Sequence, residues 1–258
     1  MSAHHSITTS SCLGEVRQAL QDLADHKIRE SGQRFFKEPI KTYGVKLPEV
    51  NKISAGIFNQ LKKNPKADVF RLCGELWASG YFEESIVACN WSYRMRKFYV
   101  EADFDTFEGW VTKYVTNWAS CDTLCNHTIG AILEKYPVLI DRVKGWAGSE
   151  NRWVRRASAV SLIIPARKGL FLPEVLEIAE SLLTDDDDLV RKGYGWLLKT
   201  AAGTNRAAVF DFIMHYKNEM PRTALRYAIE KMPPDLKSMA MEKNKEGPAG
   251  ASGENMKF

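Results

Sequence analysis

An all-α fold, an α-α superhelix of paired helices, is what this sequence predicts, and three observations carry the expectation. Strand signals are nearly absent: the chain holds no Asn-Gly or Asp-Gly hairpin turn and no sustained alternation of apolar and polar residues. Helical periodicity with short breaks runs through it instead. The breaks recur roughly every 15 to 20 residues, which pairs the helices antiparallel with a period of roughly 35 to 40 residues, the range of HEAT-like repeats. The clearest internal echo sets Glu150-Asn151-Arg152-Trp153-Val154-Arg155-Arg156 beside Asp188-Leu189-Val190-Arg191-Lys192-Gly193. Each has an acidic or amide start, then an apolar residue, then a basic pair.

Taken in order, helices are expected at Leu13–Ser31, Pro48–Leu61, Ala67–Ala78, Glu83–Tyr99, Asp105–Trp118 and Asp122–Lys135. They continue at Pro137–Gly145, Asn151–Ile164, Leu172–Leu183, Asp187–Ala202, Ala207–Tyr216 and Arg222–Lys231. Pro48, Pro137 and Pro173 stand in first turns, where a missing N–H costs nothing. The acidic run Asp185 to Asp188 meets a helix start, where negative charge complements the dipole. Gly145 and Gly203 follow helix ends, as left-handed caps do.

A chain of 258 residues is long enough to bury a sizeable core. With 45% hydrophobic and 26% charged residues it has the composition of a soluble globular protein. The expected division is a disordered lead-in at residues 1–12, one helical-repeat domain at 13–237 and a flexible Gly- and Lys-containing tail at 238–258. Five scattered cysteines and no secretory signal point to reduced thiols and a cytoplasmic setting, nucleoid-associated if prokaryotic. No apolar run approaches the roughly 20 residues that span a bilayer, so no membrane partner is expected. A net charge of +4 permits nucleic-acid binding without demanding it.

The placement of the positive charges decides more. In the helix expected at Asp187–Ala202, Leu189, Gly193, Leu197 and Thr200 make the buried stripe. Lys192, Trp196 and Lys199 border it, with the indole at the seam. In the helix expected at Asn151–Ile164, Trp153, Ala157, Val160 and Ile164 make the core stripe, while Arg152 and Arg156 share the adjoining edge. Neighbouring helices of a solenoid thus line one concave face with cations and an aromatic, which suits a phosphate backbone with stacking on bases. The same pattern also fits solvated basic edges with a lysine stem lying against a packing indole. Trp118 and Asp122, in Asn117-Trp118-Ala119-Ser120-Cys121-Asp122, add an aromatic face and a carboxylate at a helix junction. There Asp122 or Ser120 can equally serve as the N-cap of the next helix.

Together these residues resemble the AlkD-type DNA alkylation repair glycosylases, a HEAT-like-repeat family. The likeness rests on Gly44-Val45-Lys46-Leu47-Pro48-Glu49, Trp118 with Asp122, Trp153 with Arg156, and Gly195-Trp196 with its flanking lysine, in the family's order from about Phe35 to Met232. It implies excision of cationic alkylpurines such as 3-methyladenine and 7-methylguanine from double-stranded DNA, in base excision repair, by a monomer without metal or organic cofactor. It places the catalytic aspartate on Asp122, the pocket tryptophans on Trp118 and Trp196, and the arginine on Arg156. A pocket tyrosine falls on Phe35, which lacks the hydroxyl. Asn117 stands where the family often has another tryptophan. Arg152, Lys192, Lys199 and Lys46 complete the expected DNA-binding set with Phe35.

Other chemistry is poorly served. Cys121, Cys125 and His127 form C-x3-C-x-H but lack the fourth ligand of a structural zinc. Gly193-Tyr194-Gly195 lies in a helical pattern, so it is no dinucleotide fingerprint; small residues there suit close helix packing. The rival reading is a non-catalytic helical-repeat scaffold that binds DNA or protein on its concave face.

Overall fold

Capping chemistry sets where the helices begin. The computed structural model describes residues 2–242. After α1 (Ser2–Asp22), the Asp25 carboxylate accepts the backbone N–H groups of Lys27 and Ile28 and opens α2 (His26–Gln33). The single helix expected at Leu13–Ser31 is therefore two, since an N-cap aspartate draws the backbone out of helical geometry. α1 also occupies residues 2–12, where a disordered lead-in was expected; Cys12, Leu13, Val16 and Leu20 of this helix are buried.

Pro48 sits in the first turn of α3 (Leu47–Leu61), and Pro65 precedes α4 (Lys66–Ala78). α5 (Phe82–Arg94) and α6 (Asp103–Tyr114) follow. α6 stops short of Trp118, which instead begins α7 (Trp118–Thr123). That helix runs through a π-helical turn, Leu124–Ile129, into α8 (Gly130–Lys135). Next come α9 (Ile140–Gly145), α10 (Arg152–Val160), α11 (Ile163–Arg167) and α12 (Leu172–Ser181). α13 (Asp188–Ala201), α14 (Arg206–Tyr216), α15 (Arg222–Ile229) and α16 (Pro234–Met241) complete the described chain. α16 reaches into the expected tail: Pro234 stands in its first turn and Ala240 is buried. The rest of that tail, 243–258, lies outside the described residues.

No strand forms among the described residues, which hold one isolated bridge between Lys41 and Tyr81. The molecule is an all-α helical-repeat superhelix. α1, α3, α5, α7, α10, α13 and α15 touch in that succession and make one continuous layer, with α4, α6, α12 and α14 packed behind it. Trp91, Tyr99, Phe104, Phe107 and Tyr194 are fully buried between them. Burial of such a side chain contributes roughly 1.5–3 kcal/mol, provided its polar tip is satisfied. It is: Trp91 Nε1 donates to the Ser54 carbonyl at 3.0 Å, and the hydroxyls of Tyr99 and Tyr194 donate to the carbonyls of Ser92 and Leu183 at 2.7 and 2.8 Å. Cys121 and Cys125 belong to this core. Among the described residues, no helix is long and apolar enough to cross a membrane.

Two expected left-handed caps are absent. Gly145 has φ −58°, because α9 passes directly into a 3-10 turn, Trp146–Gly148. Gly203 keeps negative φ in a turn closed by its N–H to the Thr200 carbonyl. Left-handed geometry falls instead on Gly44, Gly80, Gly169 and the non-glycine Phe171.

Candidate active site

Five elements build one cleft. Trp118 and Asp122 come from α7, Arg156 from α10, Leu189, Lys192 and Trp196 from α13, Tyr227 from α15, and Phe35 from the segment after α2. The cleft encloses about 370 Å³, within the usual size of a small-molecule site.

Local structure explains each placement. The N-cap of α7 is Asn117, whose side chain accepts the Ser120 N–H at 2.9 Å. Neither Asp122 nor Ser120 caps a helix, so the Asp122 carboxylate is released from that common duty. Asn151 caps α10 by accepting the Trp153 N–H, and Asp187 caps α13 by accepting the N–H groups of Leu189 and Val190. Trp153, Val154, Ala157 and Val160 anchor α10 in the core and leave Arg156 at the seam. Gly193 makes room for it: a Cβ there would stand 3.4 Å from Arg156 Cγ.

The centre of the cleft is an ion pair. Arg156 Nε and Nη2 donate to Asp122 Oδ1 and Oδ2, each at 2.8 Å, in a bidentate fork. A third N–H, on Nη1, donates to the Leu189 carbonyl. The Arg156 side chain is 6% exposed and that of Asp122 15%. Burial raises the Asp122 pKa above the ordinary carboxylate value, and the Arg156 guanidinium pulls back against it. The result is an oriented anion in a poorly hydrated place, with charge available to any cation that enters.

Aromatic groups form the walls. Trp118 Nε1 donates to the Phe35 carbonyl at 3.2 Å, and its ring stacks on Phe36 at 5.7 Å. Phe36 in turn meets Phe82 edge-on. Phe35 itself is 75% exposed at the mouth. Its segment is pinned at both ends: Gln33 binds the Glu38 carbonyl and the Ile40 N–H, while the buried Glu83 carboxylate accepts the N–H groups of Tyr43, Gly44 and Val45. Gly44, with φ +84°, is required there because a Cβ would stand 2.3 Å from the Asp25 carbonyl.

The expected cations divide. Lys192 lines the cleft and pairs with Asp188 at 2.7 Å. Arg152 is not part of the cleft lining; it is stacked 4.4 Å over Trp153 and paired with Asp187 and Glu38. Burial opposes the Arg152 charge, yet those two carboxylates raise its pKa further. Lys199 does not line the cleft; it pairs with Glu230 at 2.9 Å and lies over the Tyr227 ring. Lys46 is exposed immediately before α3, also away from the cleft lining. The acidic run Asp185 to Asp188 thus does more than complement a dipole: it holds Arg152, Arg155 and Lys192.

Sequence reasoning missed three participants. Leu189, assigned to the buried stripe, is half-buried and lines the cleft with its carbonyl on Arg156. Tyr227 had no local signal, since it enters only through α13–α15 packing. There a Cβ on Gly195 would stand 2.7 Å from Tyr227 Cβ, which bears out the close-packing reading of Gly193-Tyr194-Gly195. Phe36 could have been suspected from Phe35-Phe36 beside a basic segment, but not its stacking partner.

Comparison with known proteins decides the family. Residues 16–232 match the profile of the DNA alkylation repair enzymes. The chain belongs to that family. A solved structure titled "Predicted DNA alkylation repair enzyme from Enterococcus faecalis" is similar in fold, with a TM-score of 0.73 over 81% of this chain and 97% of that one at 15% identity. No curated protein matches. Membership in the DNA alkylation repair family supports a role in alkylation repair, with DNA as the substrate.

Proposed function

We propose that this member of the family is a DNA glycosylase that excises N3- and N7-alkylated purines, such as 3-methyladenine and 7-methylguanine, from duplex DNA. The observation that carries the reading is the convergence of Trp118, Asp122, Arg156 and Trp196 on one cleft. Alkylation gives the purine a positive charge and makes it a good leaving group. The glycosidic C–N bond breaks with its electron pair leaving on the base, which is thereby neutralised. The sugar becomes oxocarbenium-like, and the Asp122 carboxylate stabilises it while orienting water to form the new C–O bond and release a proton. Trp118 and Trp196 offer negative ring faces to the cationic base or sugar.

Arg156 serves Asp122 first in this reading. Three of its five N–H donors are engaged by Asp122 and Leu189, so two are left for a phosphate beside the lesion. Lys192, about one-third exposed at the rim, supplies a second, more accessible phosphate contact. The chemistry calls on no metal or organic cofactor, because the substrate carries its own activating charge.

The test is release of 7-methylguanine from a duplex, wild type beside Asp122→Asn. The expected loss in the variant is on the order of 10²- to 10³-fold, the scale of removing one transition-state-stabilising group. No release by the wild type leaves the rival reading, a superhelix that binds DNA without cutting the glycosidic bond.

A further inference from the structure

A second pocket, of about 270 Å³, opens where α5, the π-helical turn, α8 and α11 meet. Its polar and aromatic lining is Tyr93, Arg96, Lys97, Asn126, His127 and the pair Glu134 and Lys168. Asn126 is one turn beyond Asp122, about 6 Å along the axis, and its Nδ2 donates to the Asp122 carbonyl at 3.0 Å. That bond fixes which amide atom is which, so Oδ1 is the free end. Oδ1 is buried and has no hydrogen-bond partner among the described residues, in a residue only 8% exposed. An orphan buried acceptor costs roughly 1–3 kcal/mol and calls for a donor. π-helical turns recur at functional positions because they misalign a side chain from the regular helix face.

The rest of the pocket asks for a different chemistry. Arg96 lies 4.4 Å over the Tyr93 ring, Lys168 is balanced by Glu134 at 2.7 Å, and Lys97 has no carboxylate partner among the described residues. The Tyr93 and His127 rings lie 5.2 Å apart, tilted 49° to each other, and set two aromatic surfaces beside the cations. A ligand that satisfies all of this carries an anion, a flat ring and an N–H donor on that ring.

We propose that this pocket binds a nucleotide unit, with the phosphate held by Arg96 and Lys97, the base against the Tyr93 and His127 rings and its exocyclic amine donating to Asn126 Oδ1. Cations with aromatic rings are the general means of holding a phosphate and its base together. The ligand class follows from this pocket alone and does not depend on glycosylase activity in the cleft.

The experiment is calorimetric titration of the full chain with dAMP, deoxyadenosine, deoxyribose 5-phosphate and the 5′-phosphate of the unsubstituted purine deoxynucleoside, which lacks the amine. The dAMP is expected to bind roughly tenfold more tightly than each of the other three. Lys97→Ala, at an exposed position, is expected to weaken dAMP roughly tenfold while sparing deoxyadenosine. Asn126→Leu is expected to erase the preference for the amine. Equal affinities for dAMP and deoxyribose 5-phosphate, or a Lys97→Ala variant with unchanged dAMP affinity, overturn the proposal. Competition by an undamaged duplex assigns the pocket to a nucleotide within a strand; independent binding of both assigns it to a free nucleotide, and either supports the site. Since base release is not measured, this result and the fate of the glycosylase reading are separable.

Discussion

Asp122 is the residue on which the proposed chemistry turns, and its environment makes a pH prediction. The ionised form is the one that stabilises a developing cation. Burial raises its pKa and Arg156 lowers it, with the net direction upward. Activity that requires the carboxylate is therefore lost, as pH falls, at a higher pH than for a solvent-exposed aspartate. Arg156→Gln removes the opposing influence, so the acid limb of the excision profile should move to still higher pH, together with a fall in rate. A profile with the same acid limb in both proteins would detach Arg156 from the state of Asp122. Residue identity was partly legible here: Trp118, Asp122, Arg156 and Trp196 could be nominated from order and spacing. That Arg156 grips Asp122 rather than standing open to solvent could not, because the pair spans 34 positions and only the packing of α7 against α10 brings it together.

At the level of the helix, two glycines of the same type have opposite expected behaviour. Gly195 faces α15, where a Cβ would stand 2.7 Å from Tyr227 Cβ and 2.8 Å from the Ala224 carbonyl. Gly195→Ala should lower stability by roughly 1–3 kcal/mol through overpacking and shift the Tyr227 side of the cleft. Gly56, inside α3, meets nothing within 4 Å. Gly56→Ala should raise stability by roughly 0.5–1 kcal/mol by removing the backbone freedom of the unfolded chain. Thermal melts of the two variants check both signs. Asn117 gives a third case: Asn117→Ala removes the α7 cap at a cost of about 1 kcal/mol and loosens the turn that presents Trp118 and Asp122, so excision should fall with Tm. Most helices were readable from periodicity, α16 being an exception, whereas boundaries were decided by caps such as Asp25 and Asn117 that look unremarkable among other polar residues.

For the molecule as a whole, the continuous layer α1, α3, α5, α7, α10, α13 and α15 is the platform of the cleft, which draws on its last four helices. Its core holds Cys73, Cys89, Cys121 and Cys125, each at most 1% exposed. Burial raises the Cys73, Cys89 and Cys121 pKa values above the ordinary thiol value, so the reactive thiolate is scarce as well as inaccessible. A thiol-specific reagent should modify these four only at the rate of unfolding, with denaturant accelerating the reaction in parallel with loss of helix. Rapid modification of any of the four in the native protein would contradict the packing. Charge is also a property of the whole: the modest net of +4 conceals local compensation, since Arg152, Arg155 and Lys192 are each held by the acidic run at α13.

By itself the sequence determined the helical class, the rhythm of the repeats, most residues of the core stripes and, through the ordered family resemblance, the four side chains proposed for the chemistry. The first three are local or periodic properties, set by turns, caps and the 3.6-residue repeat. Only the tertiary structure decided that those four meet, that Lys199 and Lys46 stand aside, that Leu189 lends a carbonyl and Tyr227 a wall, and that Asn126 is left with an unanswered acceptor. Each of these depends on which face of one helix a distant helix covers, and pattern along a single chain does not encode that geometry.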